Sequence, residues 1–217
     1  TATGAATFYF TDVSIGPHGP PRLHLIRGRG NGVSQSSYAY LIQGDPSTTL
    51  NVSVGLRTIT FGKVSGVYKP KDGSDSKLVQ NSSTQWTLTL EDGTVVVYNK
   101  QAGDTLFQAR GTTATFPAGE KLTFGYRTAE WCNVAGVEPC PGTVTSVRMQ
   151  GVASSAGYLL HYDYARDAVP SVPQQGNSWK EHVPVTAINT TVDPCAVAAD
   201  DCTTTRAWPV VGYVGGV

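Results

Sequence analysis

Apolar and polar positions alternate with a period of two along most of this chain, the signature of half-buried strands. Leu50, Val52 and Val54 take every second place until Gly55 breaks the pattern, and Ile59 and Phe61 resume it after a turn or bulge near Gly55–Arg57. WTLTLEDGTVVVY, Trp86 to Tyr98, predicts a hairpin turning at Asp92-Gly93, because glycine tolerates the positive φ of a tight turn. Counting outward from a two-residue turn pairs Leu90 with Val95 and Leu88 with Val97, on an inward apolar face. Asp72-Gly73 marks another turn. KLTFGYRT and TVTSVRMQGV predict strands flanking a loop that holds two cysteines. GYLLHYDYA sets Tyr158, Leu160, Tyr162 and Tyr164 against Leu159, His161 and Asp163.

Strand-like runs recur every ~8–14 residues between Gly, Pro, Asp and Asn clusters, a spacing that suits a sandwich, a barrel or a strand array. No amphipathic helix pattern of ten or more residues is present. The strand-poor stretches are Pro17–Gly32, Glu130–Gly142 and Val169–Ser178, the last reading as a flexible loop. No domain boundary is visible. The expectation is one all-β domain of antiparallel hairpins, forming a sandwich or a coiled strand array.

Composition narrows the function classes. Sixteen basic and sixteen acidic residues balance, which leaves no basic surplus for nucleic-acid binding. No stretch approaches the ~18–20 apolar residues of a membrane-spanning helix. TATGAATFYFTDV lacks the basic start and apolar run of a secretory signal.

The four cysteines form two local pairs, Cys132/Cys140 and Cys195/Cys202. Neither spacing matches the short hooks of structural zinc, and His18, His24, His161 and His182 are scattered. Local disulfides are therefore favoured over free thiols or metal. Each such loop adds roughly 2–3 kcal/mol in the chain-entropy model. Disulfides point to export into an oxidising compartment, extracellular or at the cell surface.

Other chemical constellations read as ordinary structure. RGRGNG, Arg27 to Gly32, lacks a Gly-Lys-Ser/Thr ending and a following helix, so it reads as a flexible turn and not a phosphate loop. No Gly-x-Ser-x-Gly elbow is present. Glu91, Asp92, Glu120, Glu130, Asp163 and Asp167 are the carboxylates available for glycoside cleavage, and none forms a compelling pair. Asp200-Asp201 lacks the ligand series of a calcium loop. His161 reads as a polar-face strand residue, and the tyrosines beside it as packing residues over a sugar platform. No catalytic residue, cofactor or metal site is expected.

The C-terminal block is the most specific feature. GYLLHYDYA is followed by SWKEHVPVTAINTTVDPC, six residues, a second cysteine and WPVVGY. This resembles, in order, a block near the early repeats of bacterial Rhs/YD-repeat proteins. There a Tyr-rich strand precedes V-T-A-x-N-x-x-V-x-x-C-x6-C and a W-P strand. Upstream, Arg57, Phe61, Tyr68, Asp72, Gly73, Asp92 and Gly93 occupy matching places, so the likeness runs from about Ser37 to Tyr213. The repeated G-x-L-x-x-x-x-x-P-D-G units of the family are not visible, and residues 1–36 stand apart as unplaced N-terminal strands.

The resemblance implies a structural, non-catalytic segment of a longer exported polypeptide, building a β-shell or a surface-display structure. Its partners would be further repeats of the same polypeptide, or other copies, through sheet edges. Two alternatives stand beside it. One is a secreted β-sandwich module binding a surface glycan; the other is a subunit of an extracellular filament assembled through strand edges.

Overall fold

A computed structural model describes residues 8–16, 23–30, 33–36, 40–101, 107–134, 137, 139–171, 175–180 and 182–212. A short sheet comes first: β1 (Phe8–Ile15), β2 (Leu23–Gly30) and β3 (Val33–Ser36) pair antiparallel in that order. Eight strands follow as an up-and-down meander: β4 (Tyr40–Asp45), β5 (Thr49–Val54), β6 (Arg57–Val64), β7 (Val67–Pro70), β8 (Lys77–Gln80), β9 (Gln85–Thr89), β10 (Val95–Asn99) and β11 (Gln108–Thr115). β11 pairs with β10 on one side and with β4 on the other, which closes the meander into a barrel. Closure removes the free edges an open sheet would expose.

The barrel interior is the alternation made solid. Ile42, Leu50, Val52, Ile59, Phe61, Trp86, Leu88, Val96 and Tyr98 are fully buried. Each large apolar side chain removed from water contributes about 1.5–3 kcal/mol, so this interior is the main source of stability. Tyr98 donates its hydroxyl to the Ser53 carbonyl at 2.9 Å, reaching from β10 to β5.

β11 serves two sheets. Gln108–Arg110 pair with β4, whereas Thr113–Thr115 pair with β12 (Lys121–Cys132). At the handover Thr112 is a bulge, tied by its hydroxyl to the Val97 carbonyl and by Asn99 Nδ2. Next to it, a Cβ on Gly111 would stand 2.5 Å from that of Tyr40, so the first residue of β4 packs directly on the glycine. From β12 the sheet continues through β13 (Thr143–Ser154), β14 (Tyr158–Tyr164), β15 (His182–Asn189) and β16 (Val210–Gly212). One helical turn and a half, α1 (Gln175–Lys180), lies between β14 and β15.

Both faces of the outer sheet are covered. On one, Leu160, Tyr162, Val185 and Ala187 join a single core with Val13 of β1, Leu23 of β2 and the barrel residues. That is why Leu159 to Tyr162 are all buried, with no polar face left to solvent. The other face lies under α1 and the loop after β15.

The all-β, antiparallel reading and both local disulfides hold. Cys132 is joined to Cys140 and Cys195 to Cys202, each pair with Cα atoms 5.6 Å apart. The architecture is an eight-stranded barrel continued by further strands. Ile59 and Phe61 are buried on β6 after a turn at Gly55, as the alternation requires.

Four local expectations need correction. The β9–β10 hairpin pairs Leu88 with Val96 and Trp86 with Tyr98, one place from the expected register. Its loop has three residues, not two, because Leu90 N donates to Thr94 O and Asp92 Oδ1 accepts from Thr94 N at 2.8 Å. Gly93 takes the left-handed place in that loop, with φ +87°. The one-residue slip turns Val96 and Tyr98 inward instead of Val95 and Val97. Secondly, the stretch Pro17–Gly32 is not strand-poor, since Leu23–Gly30 is β2, and Arg27–Gly30 of the glycine-rich run is strand and not turn. Thirdly, the expected loop Val169–Ser178 leads into α1, whose Trp179 is fully buried. Lastly, His161 is not on a solvent-facing side; it is 1% exposed.

Candidate functional site: a cysteine loop clamped on the outer sheet

Gly125 of β12 and Gly151 of β13 are direct cross-strand partners. Glycine within a strand weakens it and often marks a close approach of another backbone. Here the backbone at Val197 fills the dimple. A Cβ on Gly151 would lie 2.8 Å from the Val197 carbonyl oxygen, and one on Gly125 would lie 2.6 Å from the Val197 carbonyl carbon. The loop between Cys195 and Cys202 is thus seated on the sheet through its own main chain.

A bulge beside Gly151 swings Gln150 to the same face. Gln150 Nε2 donates to the Ala199 carbonyl at 2.9 Å and to Asp200 Oδ1 at 2.8 Å. Asp200 also binds Arg127 through Oδ2 and lies 3.6 Å from an Arg148 amino nitrogen. Arg127 and Arg148 face each other across β12 and β13, an arrangement that repels unless an anion lies between them. Asp200 is that anion.

Arg148 is the hub. Its side chain is 1% exposed, yet its donors are used: Nε to Gln150, one amino group to the carbonyls of Arg166 and Trp179, and the other to Asp167 at 3.0 Å. The guanidinium lies between the rings of Tyr164, at 4.1 Å, and Trp179, at 4.4 Å. Burial pushes its pKa down from the usual arginine value, against the pull of Tyr164 and Asp167. Trp179 in turn packs on Trp131, with ring centroids 5.9 Å apart, which fastens α1 to the same face.

His161 stands beneath the loop. Nδ1 is 3.0 Å from Asp163 Oδ1 and Nε2 is 3.3 Å from the Ala199 carbonyl. Both neighbours are acceptors, so only the doubly protonated ring satisfies both. Burial is the largest influence and opposes the charge; Asp163, the Ala199 carbonyl and Asp201 together outweigh it and raise the pKa above the ordinary value. A ring nitrogen of His161 and the sulfurs of Cys195 and Cys202 lie within 4.8 Å of one another.

The loop is closed at its base by Asp193, which accepts from Thr205 Oγ1 and from Trp208 Nε1 at 2.6 Å. Those hydrogen bonds, Thr205 first, hold its carboxyl below the usual range. The Trp-Pro pair of the C-terminal block thus belongs to the same unit as the first cysteine.

The other residues weighed from sequence are placed as follows. Cys132–Cys140 closes the loop between β12 and β13, beside a bond from Asn133 N to the Gly142 carbonyl at 2.9 Å. Glu130 accepts from Thr145, and Glu120 from Ser154. Glu91 makes a bidentate pair with Arg57, whose guanidinium also holds Asp72 at 3.2 Å. One arginine thereby ties together three turns at one end of the barrel. The hydrogen bonds from Arg57 hold the Glu91 carboxyl down at about 2. At the other end Tyr68 donates to the Pro46 carbonyl at 2.7 Å. Tyr162 is buried, and Tyr158 and Tyr164 pack against the core.

Sequence reasoning found the cysteines, set His161 aside as an ordinary polar-face residue, and missed Arg148, Gln150, Asp193 and Trp179. The signal it passed over was a glycine in the middle of each of two adjacent strand patterns, Gly125 and Gly151. No protein-family model matches the chain, and no curated protein matches it.

Proposed function

We propose that this chain is a structural, non-catalytic element of an exported polypeptide of the Rhs/YD-repeat kind, building a β-shell or a surface-display scaffold. One observation carries the reading: the residues on which the resemblance rests do architectural work. Arg57 and Asp72 join turns at one barrel end, Phe61 fills the interior and Tyr68 braces the opposite end. Gly93 makes a turn, and Cys195, Cys202 and Trp208 belong to the loop clamped on the outer sheet. Of the acidic side chains weighed for hydrolysis, Glu91 and Asp167 are committed to arginines, Glu120 and Glu130 to hydroxyls, Asp92 to a backbone amide and Asp163 to His161.

The strand order supports the same reading. β11 leads the sheet out of the barrel, and it runs on without a break to β16. On β16, Val210 is 60% exposed, which suits pairing or packing with a further strand, from the same polypeptide or from another copy.

The test is the native polypeptide itself. Immunodetection with antibodies against this chain should find a product several times its length, outside the cytoplasm, with no thiol labelled before reduction. A cytoplasmic product with four reactive thiols would overturn the proposal.

A further inference from the structure

The Cys195–Cys202 loop is held in place by contacts other than its disulfide. Its base is fixed by Asp193 with Thr205 and Trp208, and its far side by Gln150 on Ala199 and by Asp200 on Arg127. Val197 is seated over Gly125 and Gly151. If the sulfur–sulfur bond is opened, these contacts keep both sulfurs near His161.

His161 supplies the second half of the argument. With Asp163 engaging Nδ1–H, a neutral ring presents its Nε2 lone pair to the Ala199 carbonyl, an unfavourable meeting of two acceptors. That nitrogen requires a cation, either a proton or a metal ion. A carboxylate on the far nitrogen is also the usual outer support of a metal-binding histidine. Two thiolates and one imidazole make a three-ligand set suited to zinc, with the fourth position left to water.

We propose that the dithiol form of this protein binds one Zn²⁺ through Cys195, Cys202 and His161, and that the disulfide and the ion are alternative closures of the same loop. A thiol reductant donates two electrons, the sulfur–sulfur bond breaks, two protons give two thiols, and the reductant leaves as its own disulfide. Zn²⁺ then displaces both thiol protons and the Nε2 proton of His161 to solvent and accepts the freed Nε2 lone pair. Bond lengths of about 2.0–2.3 Å place tetrahedral ligand atoms roughly 3.5 Å apart. Opening the disulfide lets the two sulfurs move apart to about that distance, while the nitrogen–sulfur gap, at present within 4.8 Å, closes by about an ångström, within the reach of the two half-buried cysteines.

Co²⁺, followed by its thiolate charge-transfer absorption, tests this on the whole chain, with Zn²⁺ displacing it. Reduced protein should bind one ion per chain at this site, and oxidised protein none. A C132S/C140S variant should keep the signal, and C195S/C202S should lose it. H161A should weaken binding by at least tenfold, with folding checked by circular dichroism. Because H161A removes a buried side chain, D163N serves as a second probe, since Asp163 lies at the surface edge of the site; it should weaken binding by about 10–100-fold. A reduced protein without Co²⁺ absorption, or a signal unchanged in C195S/C202S or in D163N, overturns the proposal.

Discussion

Gly125 and Gly151 face each other across β12 and β13, and the missing side chains make the seat for the Val197 carbonyl. The pair explains how a loop with two cysteines lies flat on a sheet in place of standing off it. It also joins two distant parts of the sequence, because the strand hairpin and the C-terminal block meet here as well as through Gln150, Arg127 and Arg148.

Gly151→Val should therefore destabilise the protein by about 1–3 kcal/mol, the usual range for overpacking a close-packed contact. Urea denaturation reads the change, and limited proteolysis should show earlier cutting between residues 195 and 202. An unchanged midpoint would refute the seat.

Arg148→Met is expected to be more damaging. It leaves the carbonyls of Arg166 and Trp179 without donors and removes a cation from among Asp167, Asp200 and two aromatic rings. Each orphaned carbonyl costs about 1–3 kcal/mol, and the lost pairs with the partly exposed Asp167 and Asp200 add little. Arg148→Lys should recover little, since an ammonium lacks the planar five-donor fork. Full rescue by lysine in thermal unfolding would contradict the hub role.

Gly93→Val should cost on the order of 1–2 kcal/mol, because a β-branched residue is strained at φ +87°. The denaturation midpoint measures it, and Gly93→Asn, which tolerates the left-handed region, should lose less. Equal midpoints for both variants and the parent would reject the turn.

Stability should depend on pH through His161. Its pKa is raised in the folded protein, so its contribution is complete below the ordinary value of 6.5 and is lost as pH rises through the higher folded value. The parent should thus lose stability relative to His161→Gln on passing from mildly acidic to mildly alkaline buffer. A constant difference between parent and variant across that range would show that the ring does not titrate in this way.

Much of the barrel is legible in the sequence because its strands bury one face only, and Leu50, Val52, Ile59, Phe61, Trp86 and Leu88 announce that face by alternation. The hairpin register is not legible because the choice between a two- and a three-residue loop lies in the Asp92 side chain bonding Thr94, not in the Asp-Gly pair itself. β14 hides its second buried face, since Leu159 and His161 look like the outer side of an ordinary alternating strand. The loop seated over Gly151 by Val197, with Ala199 at His161, covers that face from far along the sequence. Arg148 is harder still: a lone arginine in TVTSVRMQGV carries no local sign that Trp179 and Tyr164 enclose it.

The central claim is that the sheet led out of the barrel by β11 continues past β16 in a larger β structure. Hydrogen exchange at the Val210–Gly212 amides, compared between this chain alone and the native polypeptide, tests it most directly. The account predicts fast exchange in the isolated chain, for the amides not bonded to β15, and strong protection in the native polypeptide. Equal rates in both would contradict it.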